Sequence, residues 1–207
     1  TGSLGNLAKA AIVGAAAFAG FQGVSAAMKH VTDSVTSFDK ELRNTDTVLL
    51  GSAVSIRQLE MELLRLPPTL GSATELTKGL YQALSASIDP AKAVAFVAEQ
   101  AKLASAGLTD LSTTVKLTTS VMDSFGKGAD QAAQISDVLF TIVGRGKTEF
   151  APLAATFATV FPLAKNLGLS FEETAATLTT LLRVFPSAGQ AVTGFRGILS
   201  GINQHME

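Results

Sequence analysis

The stretch Ile135–Val184, ISDVLFTIVGRGKTEFAPLAATFATVFPLAKNLGLSFEETAATLTTLLRV, carries three apolar stripes in succession with almost no loop between them. Ile135, Val138, Leu139, Ile142 and Val143 make the first. Phe150, Leu153, Phe157, Val160, Ala164 and Leu167 make the second, and Phe171, Ala175, Leu178, Leu182 and Phe185 the third. Steps of three and four put each set on one side of an α-helix. Between Phe150 and Phe171 the only charged residue is Lys165, so a helix there must bury itself against something. Pro152 is tolerable in a first turn. Pro162 sits well inside the second stripe and is expected to kink its helix, because proline lacks the N–H the helix needs.

Upstream, the same punctuation recurs. Ile56, Leu59, Leu63 and Leu66 form a stripe stopped by Pro67 and Pro68, a double proline that reads as a hinge. Ser72 with Glu75 fits a capping box that starts a helix carrying Leu76, Leu80, Leu84 and Ile88 on one face. Asp89 as N-cap and Pro90 in the first helical position open another, with Val94, Val97, Ala101 and Ala104 inward and Gly107 at its end. Downstream, Ala188 to Gln204 contains Gly189, Gly194, Gly197 and Gly201, and such a segment stays helical only with packing partners. No stretch alternates at period two over a useful length, so the expected fold is all-α, short helices packed as hairpins.

Two of these boundaries repeat. Gly107-Leu108-Thr109 precedes a helix ending in Leu117-Thr118-Thr119, and Gly168-Leu169-Ser170 precedes one containing Leu178-Thr179-Thr180, at an offset of 61 residues. Thr113 with Thr174 and Gly128 with Gly189 share it. Duplication of a helical hairpin explains the match; chance similarity in an Ala/Thr-rich chain is the alternative. In the first copy Thr109 reads as the hydroxyl N-cap, and in the second Ser170 with Glu173 completes a capping box. The hairpin around Gly168 is then a partner for the one around Gly107.

At the N-terminal side, Ala10–Met28 (AAIVGAAAFAGFQGVSAAM) is nineteen residues without a charge. That is about the length that crosses a bilayer, yet it is mostly Ala and Gly with Gln22 and Ser25 inside it. Ala10, Gly14 and Ala17 place small residues at helical spacing, which suits close helix-to-helix packing. Packing against another helix, membrane insertion and a flexible segment all stay open. Val31, Val35, Phe38 and Leu42 continue the period, so a long helix is expected to run to about Leu50, where Gly51 and Ser52 interrupt it. The resulting organisation is 1–50 as an Ala/Gly-rich assembly helix, 51–71 as a short helix with the Pro-Pro hinge, and 72–207 as a helical core domain. The chain begins without Met and reads as a piece of a longer one. Unpartnered apolar surface is left at Leu4 to Met28 and after Ala188, where contacts with other subunits are expected.

Composition narrows the chemistry. The chain is 47% hydrophobic and 16% charged, with a formal net charge of -1 and no cysteine. No long-range field draws nucleic acid, and disulfides, thiolate metal sites and cysteine nucleophiles are excluded. His30 and His205 are too far apart in sequence to suggest a ligand pair. Gly144-Arg145-Gly146-Lys147-Thr148 imitates the end of a phosphate-binding loop, but the glycine required five places before Gly146 is Thr141. The simpler reading is that Gly144 ends one helix and Thr148 caps the next, with Arg145 and Lys147 in solvent. Asp39 with Glu41, and Glu172 with Glu173, point to different helix faces and make no carboxylate pair. Asp137 suits the favourable end of a helix dipole. Ser and Thr have no histidine nearby to activate them. The expected assignment is no catalytic, cofactor or metal residue, no cofactor, and no enzyme.

Three stretches together resemble the helical core of phage tail tape measure proteins of the TP901-1 type: Phe38–Leu50 (FDKELRNTDTVLL), Leu76–Leu108 (LTKGLYQALSASIDPAKAVAFVAEQAKLASAGL) and Ser136–Glu173 (SDVLFTIVGRGKTEFAPLAATFATVFPLAKNLGLSFEE). The resemblance covers most of residues 38 to 204 and departs from the family pattern at Val184 to Gly189. It implies a structural virion protein that helps set tail length and occupies the tail tube or tail tip before DNA ejection. The implied partners are further copies of itself in a small homo-oligomer, a trimer, with coiled-coil-like packing, then tail tube and tail tip hub proteins and assembly chaperones. No specific nucleic acid is implied; host membrane contact on ejection is. The alternative function is a membrane-active ejection or pore-forming component resting on Ala10 to Met28.

Overall fold

A computed structural model of the chain describes residues 54–206, together with helical positions at 37, 40, 41 and 43–45. The long N-terminal helix and the Ala10 to Met28 segment fall almost wholly outside the described residues, as do His30 and Asp39. Residues 41–207 form one compact unit.

Among the described residues there are nine α-helices and no strand, so the chain is all-α. In order they are α1 (Ile56–Leu64), α2 (Ala73–Ser85), α3 (Pro90–Ala106), α4 (Leu111–Phe125), α5 (Ala132–Gly146), α6 (Phe150–Phe157), α7 (Phe161–Asn166), α8 (Phe171–Leu182) and α9 (Ala188–Met206). Short 3-10 turns occupy Pro68–Leu70, Ala129–Gln131 and Ala158–Val160.

The starts follow local chemistry. At α2, Glu75 N–H donates to Ser72 Oγ at 3.3 Å while Ser72 N–H donates to Glu75 Oε2 at 2.9 Å, the reciprocal box that satisfies two otherwise orphaned donors. Ser170 and Glu173 do the same at α8, and Ser55 with Gln58 at α1. Asp89 Oδ1 accepts from the Ala91 N–H at the start of α3, with Pro90 at its first position. At α4 the cap is Asp110 rather than Thr109: its carboxylate accepts from the Thr113 N–H at 2.9 Å and the Thr113 hydroxyl at 2.6 Å. A carboxylate satisfies both donors at once, which a threonine one residue earlier cannot reach.

That one-residue shift changes the repeat. Leu108 (φ 49) and Gly168 (φ 76) are the left-handed residues of the two turns. Thr109 N–H closes on Ala104 O just as Leu169 N–H closes on Ala164 O. The turns and the caps, Asp110 and Ser170, therefore correspond at an offset of 60, one less than the residue matches imply. Gly107 does end α3, with φ -86.

The break expected from Pro162 lies just before it. Because Pro162 has no N–H to give the Ala158 carbonyl, that carbonyl takes the Phe161 N–H in a tighter 3-10 turn, and α7 restarts with Pro162 in its first turn. Gly144 does not end α5, and Thr148 does not cap α6. The helix runs to Gly146, Lys147 takes the left-handed terminal position at φ 53, and Thr148 N–H donates back to Val143 O. The third stripe also ends early. Helix α8 stops at Leu182, and Phe185 lies in a bend, 36% exposed, with its ring tip over Gly194 of α9, 3.0 Å from where a Cβ would stand there.

The helices share one hydrophobic core. Helix α1 packs on α2 and α3; α2, α3 and α4 pack on one another; α3 also carries α5. Helix α4 meets α6 and α7, α5 lies along α8, and α9 covers α6, α7 and α8. The hairpin around Gly168 thus touches that around Gly107 through α7 on α4, but the main partner of α8 is α5. At the centre, Phe125, Phe157, Phe161 and Phe171, one from each of four helices, meet with ring centroids 4.8 to 6.5 Å apart. The glycine-rich segment finds its partners: Ala191, Val192, Phe195 and Leu199 of α9 are buried, while Ile198 and Ile202 on its other side stay half exposed.

Candidate functional site

Gln100 organises the buried polar contacts of α3. It is fully buried; its Oε1 accepts from the Thr118 hydroxyl at 2.7 Å, its Nε2 donates to Ser136 Oγ at 3.3 Å, and its backbone carbonyl accepts from the Thr114 hydroxyl at 3.0 Å. One side chain thereby ties α3 to α4 and α5. Every group is satisfied within the core, so the cluster positions helices and offers nothing to a ligand.

The phosphate-loop imitation is placed the wrong way round for its chemistry. Gly144, Arg145 and Gly146 form the last turn of α5. A helix end of this polarity presents carbonyl oxygens and the negative end of the dipole, whereas phosphate needs the N–H groups of a helix start. Glu172 and Glu173 diverge as expected. Glu173 belongs to the cap of α8, where hydrogen bonds from the Ser170 backbone and hydroxyl hold its carboxyl below the ordinary value. For Glu172 partial burial pushes its carboxyl up, but the Lys127 ammonium, 2.9 Å away, and its hydrogen bonds outweigh that and hold it low. His205 is in the last turn of α9. Among the described residues no group of His, Asp and Glu is arranged to hold a metal ion.

A groove of about 460 Å³ lies between α5 and α8. Its floor is Val138, Ile142 and Ala175; Thr141, Thr179 and Thr180 line it, and Asp137, Glu172, Arg145 and Arg183 stand around it. The two helices run parallel. Lys127, a few residues before α5 begins, bonds Glu172 at the start of α8, and at the other end Gly146 of α5 lies against Leu182 of α8. A Cβ on Gly146 would stand 2.8 Å from Leu182 Cδ1 and 3.1 Å from its Cβ, so only glycine permits that closeness. Parallel helices place like dipole ends side by side; Glu172 and Glu173 stand in the first turn of α8 and Arg145 in the last turn of α5, but Asp137 lies past the first turn of α5, away from the helix start where the dipole would favour it. The threonine hydroxyls donate to their own helices, Thr141 to Asp137 O, Thr179 to Ala175 O and Thr180 to Ala176 O. The groove therefore offers an apolar floor, hydroxyl acceptors and charged residues around it, of which Glu172 is already bonded to Lys127. Such a surface fits a helix better than a small polar substrate.

Fold and surfaces together define an α-helical packing module, in which the polar side chains that are buried serve to fix helices against each other. Residues 57–206 match the model of the family described as phage-related minor tail protein; the match takes in most of the chain, and the chain belongs to that family. It is a structural component of a phage tail. Two curated relatives are similar to it: the "Probable tape measure protein" of Clostridium phage phiCD119, 28% identical over 160 residues and 75% of this chain, and the "Tape measure protein" of Pneumococcus phage Dp-1, 25% identical over 166 residues and 80% of this chain. The aligned part is only 17% and 14% of those proteins, so the chain spans about a sixth of the length of the curated relatives it matches. No solved structure matches.

Proposed function

We propose that this chain is the folded, seated part of a phage tail tape measure protein, a structural and non-catalytic segment whose parent chain helps set tail length. The observation that carries the reading is its likeness, across three quarters or more of its residues, to two proteins described as tape measures. The packing adds a division of labour. As one continuous helix about 150 residues would extend about 225 Å at 1.5 Å per residue. Folded, a domain of that size has a radius of gyration of about 15 Å. A compact helical unit is poor material for a ruler and good material for an anchor, so in this reading the parent chain's extended helices measure and this unit sits at the tail tip or in the tube end. Its partners are further copies of the chain, tail tube and tip hub proteins, and assembly chaperones before the tail closes.

Deletions in the parent gene, read as tail length by electron microscopy, test this. Removing helical residues outside the module is expected to shorten tails in proportion, by about 1.5 Å per residue, while removing the module stops tails from completing. Tails of unchanged length after deletion of the extended helices would sink the ruler; shortened but complete tails after loss of the module would sink the anchor.

A further inference from the structure

In helix α9 local propensity and structure disagree. Its nineteen residues include Gly189, Gly194, Gly197 and Gly201. Gly194 has a packing reason, since a Cβ there would stand 3.0 Å from the tip of the Phe185 ring. At Gly189, Gly197 and Gly201 a Cβ would meet nothing within 4 Å, and none of the three has a positive φ. Neither contact nor backbone conformation calls for glycine there. What glycine does at an interior position such as Gly197 is weaken the helix, by about four- to fivefold relative to alanine.

The attachment of α9 is of one kind. Ala188, Ala191, Val192, Phe195 and Leu199 are buried where α9 meets α6, α7 and α8, and from Ser200 to His205 no residue is buried. Its side-chain hydrogen bonds are local, Thr193 to Gly189 O and the Gln190 N–H to Ser187 Oγ. Other helices are tied across the fold by polar groups. Gln82 Nε2 bonds Ser112 Oγ at 2.7 Å between α2 and α4, Gln100 joins α3 to α4 and α5, and Lys127 holds Glu172 at the start of α8. Residues 183–187, which lead into α9, are all exposed.

We infer that α9 is a releasable strap, which leaves α6, α7 and α8 and unwinds in one step while α1 to α8 stay folded. A helix this poor in propensity persists only while it is packed, so unpacking and unwinding are coupled. No polar tie resists its departure, and 183–187 supplies the joint. The aromatic centre remains behind, because Phe125, Phe157, Phe161 and Phe171 belong to α4, α6, α7 and α8. Release bares the apolar sides of α6, α7 and α8, which gives the module a second state with a large apolar face open. This opening rests on packing alone and not on what the parent chain measures.

Native-state hydrogen exchange on the full chain tests it. The amides of Val192 to Leu199 are expected to exchange through an opening about tenfold or more as populated as the one that exposes α3. Gly197→Ala and Gly201→Ala are each expected to slow that exchange by about four- to fivefold. Gln100→Ala, which weakens the joint of α3 with α4 and α5, is expected to speed exchange in α3 and leave α9 as it was. Urea below the unfolding transition makes the same separation in the unmodified protein: exchange in α3 rises steeply with urea and exchange in α9 only weakly, since a partial opening exposes less surface. Exchange of α9 in step with α3, in urea or in Gln100→Ala, would overturn the proposal. So would alanines at Gly197 and Gly201 that leave the exchange of α9 unchanged.

Discussion

Leu108 is 95% exposed and sits in the left-handed region at φ 49, where a side chain costs about 1–2 kcal/mol relative to glycine. The corresponding residue of the other turn is Gly168, with φ 76. Leu108→Gly is therefore expected to stabilise the fold by about 0.5–1 kcal/mol, the relief of strain less the extra freedom glycine adds to the unfolded chain. Urea titration reads the change; a loss of stability would mean that Leu108 is held by a contact rather than strained. The opposite sign is expected at Gln100. Its truncation leaves Thr118 and Ser136 with buried, unmatched hydroxyls, so Gln100→Ala should cost about 1–3 kcal/mol for the stranded groups, in addition to the packing lost. The leucine at Leu108 is explained by nothing else in its own turn, and no spacing in the chain marks Gln100 as a hub, because its partners are 18 and 36 residues away.

At the scale of elements, the capping boxes make helix starts sensitive to acid. Hydrogen bonds from the backbone and hydroxyl of Ser72 lower the pKa of Glu75, and those of Ser170 lower that of Glu173, each from an ordinary 4.5. A carboxylate whose folded value is depressed contributes stability that is complete above its unfolded value and is lost as pH falls through the folded one. Stability should thus be flat through neutral pH and decline below about 4.5. The double variant Glu75→Gln, Glu173→Gln keeps a side-chain acceptor at each cap and removes the titration, so thermal unfolding followed against pH should show a shallower acid limb. An unchanged limb would assign the acid sensitivity to other carboxylates. Caps and prolines are legible in the sequence because they act within three or four residues. Thr109 and Gly144 mislead for the same reason: a cap is chosen by which side chain reaches a donor, and a helix end by where the neighbouring helix stops supporting it. The Gly146 approach to Leu182 holds α5 together for two residues beyond Gly144.

The whole molecule hangs on the four phenylalanines where α4, α6, α7 and α8 meet. Phe157 is fully buried and stacks edge-on against Phe161 at 4.8 Å. Phe157→Ala is expected to cost about 3–5 kcal/mol, the transfer loss plus the cavity. That is a large part of a stability that for a domain of this size is about 5–15 kcal/mol. Calorimetry should show one transition moved down, since the helices share one core; two separate transitions would mean that α1–α4 and α5–α9 unfold independently. The amino-acid order alone determined that the chain is helical, where most helices begin, that the run through Pro162 must break, and that a run of residues so poor in charge has to be buried. These follow from interactions within one or two turns. Only the tertiary structure decided that α5 and α8 lie parallel, that the two turns correspond one residue closer than their letters match, and that four charges frame one groove. Those depend on side chains tens of residues apart, and their proximity is fixed by how the helices pack.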